Sequence, residues 1–374
     1  MTNRSKQLAR YLLVLLCFSF LIGCDPPDGV TWLPDSSGFV FVSDTNNKDD
    51  PVAEDLRFFD LATKTHRVIA HKTGTRTLRP AVTPDGLFVV ARLEGHVHKP
   101  AQMQLVFYDR EGKVQKQSSS FLWMPTMVWN SPKDISPEDR RKHVLPTSLW
   151  WEPVSKKLIV TDLLGPTGHV AVYDPDSDEL LRLGLGIGGG PWRGLGDTHQ
   201  HQLVRPDRKG LLMAGIEGLA FVAWDGTRRR IAIPPAVRDS SLEEGCLLFW
   251  EGNTFVLRGS NGSLRIDTDA AVASFEPGRK TDRNVDGKVS FEHEFPDTRQ
   301  RLRILHMQVA GNYFRTELLN PRTNQRLTIL PKTANLTSDV APNGKLIALR
   351  GDGRIRVVNS HGEIIRDLDA SNKK

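Results

Sequence analysis

Thr83-Pro84-Asp85-Gly86-Leu87-Phe88-Val89 is a turn running straight into an apolar strand. Proline presets φ at the first corner of such a turn, and an Asp/Asn-Gly pair supplies a residue that tolerates positive φ. The same unit returns as Leu33-Pro34-Asp35-Ser36-Ser37-Gly38-Phe39-Val40 and Arg205-Pro206-Asp207-Arg208-Lys209-Gly210-Leu211-Leu212. It returns again as Ala341-Pro342-Asn343-Gly344-Lys345-Leu346-Ile347. Weaker copies start at Pro153 and Pro296, and in a seventh Glu251-Gly252-Asn253 replaces the Pro-Asp pair. A second turn follows in the same units. The apolar runs Leu56 to Asp60, Leu105 to Asp109, Val170 to Asp174, Phe221 to Asp225 and Ile355 to Asn359 each end on Asp or Asn. Apolar, turn, apolar is the signature of a hairpin.

From Pro34 to Pro342 the seven copies recur about every 51 residues, near the length of one four-stranded propeller blade. The chain therefore reads as all-β, a single β-propeller over residues 30–369. Seven four-stranded blades are expected, with six or eight as alternative counts and a solenoid or sandwich as the rival all-β folds. The strand, Pro-Asp-Gly, strand element resembles the TolB-like and WD-repeat-like propellers. Trp-Asp follows a third strand only at Trp224-Asp225, so the WD-type hydrogen-bond tetrad is not implied. Residues 121–147 read as an insertion between blades two and three. Within it Ser136 as N-cap and Pro137 at the first helical position predict a short helix. Its Trp123, Met124, Met127 and Trp129 are expected either to form a partner surface or to cover blade edges.

The N-terminus carries a different signal. Arg4, Lys6 and Arg10 precede an apolar run from Tyr11 to Ile22, too short to span a ~30 Å hydrocarbon core but suited to a signal-peptide h-region. Leu21-Ile22-Gly23-Cys24 resembles the bacterial lipobox. That resemblance implies cleavage of residues 1–23 and acylation of Cys24, with residues 24–29 as a short linker and 370–374 as a C-terminal tail; an uncleaved anchor is the alternative. Each buried CH₂ contributes ~0.8 kcal/mol, so two or three acyl chains hold a protein durably at a membrane. The expected location is the cell envelope, on the periplasmic face of either membrane or at the cell surface. Of the three cysteines, Cys17 leaves with the signal and Cys24 is modified. Cys246, alone in an apolar run, reads as a small buried hydrophobe.

The formal charge is 50 − 44 = +6. Three of those charges go with the signal peptide, leaving +3, which gives no electrostatic footprint for nucleic acid. The block Arg228-Arg229-Arg230 reads as a solvated hairpin end. Gly184-Leu185-Gly186-Ile187-Gly188-Gly189 matches a dinucleotide-binding string, but Pro191-Trp192 follows where a helix must begin. No Gly-x-Ser-x-Gly elbow and no Walker loop occur in the chain.

Two constellations remain. Asp282, Asn284 and Asp286, with the Lys288 carbonyl and Ser290, place oxygens at alternate positions around Gly287, the pattern of a Ca²⁺ loop. An ordinary Asn/Asp/Gly connection is the other reading, since His293 stands where an EF-hand needs Glu and Ser290 where the calcium loops of integrin-type propellers carry an acid. In the resembled propellers the strand before Pro-Asp lines the central channel. Counting back from each turn puts Arg79, His199, His201, His293 and Asp339 at one channel mouth, with Glu292 and Glu294 beside them. Those groups read either as a site for an anionic or zwitterionic ligand or a metal, or as the plain polar lining of a water-filled channel. Two functions are therefore carried forward. One is a membrane-tethered module that binds an envelope protein, peptide or glycan; the other is a lyase or hydrolase that uses the His/Arg/Asp cluster.

Overall fold

The computed structural model describes residues 29–44, 54–71, 77–94, 101–123, 147–162, 169–185, 204–215, 218–234, 247–259, 262–277, 288–307, 313–334 and 336–370. They form seven sheets arranged as a β-propeller, antiparallel but for the short strand Thr77–Arg79, which pairs in parallel with Thr147–Glu152, and no helix occurs among the described residues. The first blade is Val30–Trp32, Gly38–Asp44, Glu54–Asp60 and Thr65–Ala70, paired in chain order. The last is Thr337–Val340, Leu346–Gly351, Arg354–Asn359 and Ile364–Asp369. Blades two to six fall within residues 81–123, 147–185, 204–230, 247–277 and 288–334, with Thr77–Arg79 added at the inner edge of blade three.

Two blades depart from the plan. In the second, the outer strand is bent at Ser118, so that Val114–Gln117 and Phe121–Trp123 both pair with Ala101–Tyr108. Residues 121–123 thus finish blade two, and Thr147 already begins blade three, so the insertion expected over 121–147 shrinks to 124–146. Those residues, with the expected helix at Ser136, lie outside the described residues. In the fourth blade the described inner strand is a single bridge, Val204 to Leu211. Arg228–Arg230 is not a hairpin end but that blade's outer strand, exposed throughout. Arg228 donates to the Leu183 carbonyl of blade three and Arg229 to the Asp269 carbonyl of blade five at 2.8 Å.

The turn chemistry sorts the two faces of the ring. On one face lie the fourteen turns that follow the first and third strands of the blades, two per blade, and each contains one left-handed residue: Ser36, Gly86, Lys156, Arg208, Gly252, Arg299 and Gly344 in the first set, Lys64, Gly112, Asp178, Gly226, Ala271, Asn324 and Gly362 in the second. Asp or Asn side chains cap most of them. Asp60 accepts from the amides of Ala62 and Thr63, Asp109 from Glu111 and Lys113, Asp225 from Thr227, and Asn359 from His361. This is the Asx-turn, in which a short polar side chain mimics a backbone acceptor. On the opposite face the chain makes every other connection, and from there every internal stretch outside the described residues leaves the ring.

Apolar packing joins the blades in series. Phe39, Phe41 and Phe59 of blade one pack on Ala348, Ile355 and Val357 of blade seven. Val40, Leu56 and Phe58 pack on Phe88, Val90 and Val106 of blade two. Further clusters join blades two and three, then three, four and five, and finally six and seven. Each side chain so buried contributes about 1.5–3 kcal/mol. Among the described residues no such cluster joins blade five to blade six. There the facing surface of blade six carries Glu292, Arg301, Arg303, Arg315 and Glu317 in alternation with the apolar residues that face blade seven. The Glu317 side chain is 3% exposed and lies 3.3 Å from Arg303 and 3.8 Å from Arg315.

Candidate functional site at the channel mouth

Of the five residues placed together by sequence, two meet. Arg79 closes the strand Thr77–Arg79, which pairs with the inner strand of blade three just before the chain enters blade two, and it is ion-paired with Asp339 on the inner strand of blade seven. The pair spans blade one, whose first residues lie beneath it. The Val30 amide donates to Asp339 Oδ2 at 3.1 Å, the Trp32 indole donates to the Asp339 carbonyl at 2.9 Å, and Gly29 packs against the Arg79 methylenes. Both Asp339 oxygens are therefore engaged, Oδ1 by the guanidinium and Oδ2 by a backbone amide. Burial pushes Arg79 down to about 10, so it stays cationic at neutral pH. An occupied carboxylate facing a charged guanidinium supplies neither a free general base nor a free acid.

His293 is elsewhere. Its Nε2–H donates to the Gly344 carbonyl in the tight turn of blade seven at 2.9 Å, and its ring stands edge-on to Phe295 at 5.2 Å. The reason is common to the whole ring. Among the described residues, the one three before each turn proline faces the next blade rather than the channel. Thr31 donates to the Pro80 carbonyl of blade two at 2.5 Å, Asp339 accepts from blade one, Ala81 packs on blade three, and Trp150 packs on the cluster it shares with blade four. Glu292 and Glu294 point away from His293, as neighbours in a strand must. They are held on the other side by Arg301 at 3.2 and 3.1 Å. The expected convergence of His293, Glu292 and Glu294 with Arg79 and Asp339 is thus corrected.

His199 and His201 lie outside the described residues, as do Asp282, Asn284 and Asp286 of the calcium reading. Lys288 and Ser290 fall in the inner strand of blade six, Lys288–Glu294, which carries a register shift between Val289 and Phe291. No cluster of three or more His, Cys, Asp or Glu able to hold a metal occurs among the described residues.

Sequence reasoning missed Arg350, the third member of this junction. Its guanidinium donates to the Val42 carbonyl at 2.8 Å and the Gly29 carbonyl at 3.4 Å, beside the Phe41 ring. A lone Arg closing the apolar run Leu346-Ile347-Ala348-Leu349 was the available signal, because a cation in a buried strand needs acceptors nearby.

No family model and no curated protein matches the chain. Solved structures do resemble it. A dihydro-heme d1 dehydrogenase, NirN, in complex with DHE shares 14% identity and a TM-score of 0.48, over 91% of this chain and 66% of that one. TolB from Acinetobacter baumannii shares 11% at a TM-score of 0.38, over 83% and 74%. The periplasmic gluconolactonase PpgL of Pseudomonas aeruginosa shares 13% at 0.38, over 92% and 86%. At such values no residue or role transfers from any of them. The fold stands on the strand pairing itself.

Proposed function

We propose that this chain is a lipid-anchored β-propeller of the bacterial cell envelope, exposed outside the cytoplasm, that works as a binding or scaffolding module for an envelope protein, a peptide or a glycan. The observation that carries the choice of binding over catalysis is the Arg79–Asp339 pair. Arg79 and Asp339, both expected at the channel mouth, are bonded to one another, and Asp339 also to the backbone of blade one. They act as a clasp. Anchoring is supported by the basic, apolar and Leu21-Ile22-Gly23-Cys24 sequence of the N-terminus. The outer strands offer partly exposed apolar side chains around the perimeter, Leu122, Leu181 and Leu327 among them, each 43–53% exposed.

Photo-crosslinking residues placed at Leu122, Leu181 and Leu327 test the proposal in cells. A discrete crosslinked envelope component from at least one position, retained in Arg79→Lys, is the expected result. No crosslink from any position, together with Arg79-dependent turnover of a lactone or ester panel by the purified protein, would replace binding with catalysis.

A further inference from the structure

The place where the chain enters the ring fixes which way the ring faces. Gly29 and Val30 sit at the inner edge of blade one, held by Asp339, Arg350 and the flank of Arg79. From there Val30–Trp32 runs toward the tight-turn face, so the chain comes in from the opposite, connection face. Five peptide steps separate Cys24 from Gly29, a reach of at most about 17 Å.

That reach is short against the ring. Three inter-strand steps of about 4.8 Å carry the outer strand ~14 Å beyond the inner one, before any side chain is added. A seven-residue strand such as Gly38–Asp44 then spans about 23 Å between the faces. To bring the tight-turn face to a membrane, the linker would have to cross the blade and descend its full height, ~37 Å. Standing the ring on its rim would take ~14 of those ~17 Å and leave about 3 Å, less than the side chains of the outer strand occupy.

We infer that the acylated protein lies flat on its membrane, with the connection face apposed to the lipid surface and the tight-turn face directed away from it. This rests on the anchoring proposed above. It assigns the two faces different surroundings. The connection face meets lipid headgroups, and a soluble component reaches the ring from the tight-turn face or the rim.

Two residues of blade seven test this, because they stand at opposite ends of one strand, Arg354–Asn359. Asp352 is exposed on the connection face and His361 on the tight-turn face. In a Cys246→Ser background, Asp352→Cys and His361→Cys are each labelled with a donor fluorophore. The full-length acylated protein is then placed in phosphatidylethanolamine/phosphatidylglycerol vesicles that carry a headgroup-linked acceptor. Energy transfer at least twofold stronger at position 352 is expected, and a fifteen-residue Gly/Ser spacer after Asp28 should bring the two labels to similar transfer. Equal or stronger transfer at 361 in a vesicle-bound protein of acylated mass would overturn the orientation and leave the anchor standing. An unmodified Cys24 in the mass spectrum would overturn both.

Discussion

Ala271 occupies the left-handed turn position of blade five at φ 55°, where six of the other turns carry glycine. An L-residue there costs roughly 1–2 kcal/mol, of which glycine's extra unfolded-state freedom returns about half. Ala271→Gly should therefore raise stability by about 0.5 kcal/mol in urea titration. Gly112 behaves oppositely. At φ 86° a side-chain carbon would come within 2.1 Å of the Ile69 carbonyl of blade one, so Gly112→Ala should cost at least about 2 kcal/mol. The turn carboxylates set the acid limit. The Thr63 amide holds Asp60 below the ordinary carboxylate range, the Lys113 amide does so for Asp109, and the Thr227 amide for Asp225. Groups depressed in the folded state contribute stability that is complete above their unfolded value near 4 and is lost as pH falls through the folded one. Urea midpoints should hold level from pH 7 to about 5 and fall below about pH 4, less steeply in Asp60→Asn and Asp109→Asn.

At the scale of the strand, the turns were open to inspection in the sequence and the facing of side chains was not. Pro-Asp-Gly states its own backbone geometry, because only a few residue types tolerate those φ values, so the blades and their number could be counted. Even Glu251-Gly252-Asn253, which lacks the proline, keeps the left-handed Gly252 at φ 59°. Whether an inner-strand residue looks into the channel or at the next blade depends on twist, which leaves no local mark. His293 and Asp339 share one register position, which in the sequence predicts the channel for both. The same shared position sends both to the following blade. Alternation alone would have separated Glu292 and Glu294 from His293. The energetic consequence falls on the clasp. Asp339→Asn leaves a buried guanidinium opposite a neutral group and should destabilise the ring by about 3 kcal/mol. In a double-mutant cycle with Arg79→Gln, a coupling above about 1 kcal/mol would show that the pair acts as a unit.

For the whole ring, continuity of packing matters more than continuity of chain. All four strands of the first and last blades come from single uninterrupted stretches, so no strand is exchanged across the join between blades seven and one. That join holds through Asp339, Arg350, the Asn343 amide on Ser36 Oγ, and the aromatic cluster of blade one. The seam between blades five and six instead presents the Glu292, Arg303, Glu317 and Arg315 network. A circular permutant that links residue 370 to residue 29 and opens at 278–287 keeps every apolar inter-blade cluster on an unbroken chain. Its thermal midpoint should equal or exceed that of the parent. Opening at 72–76 instead divides the cluster of blades one and two and should lower the midpoint by several degrees.

The bond from the Val30 amide to Asp339 joins residues 309 apart in the chain. A polypeptide delivered N-terminus first at about 5–20 residues per second completes its first blade, at Ala70, roughly 13–54 s before Asp339 arrives. Throughout that wait Phe39, Phe41 and Phe59 have no seventh blade to cover them. The nascent molecule is thus a sticky open arc until its final fifty residues emerge, and any stop codon upstream of them would leave that arc permanently unsealed.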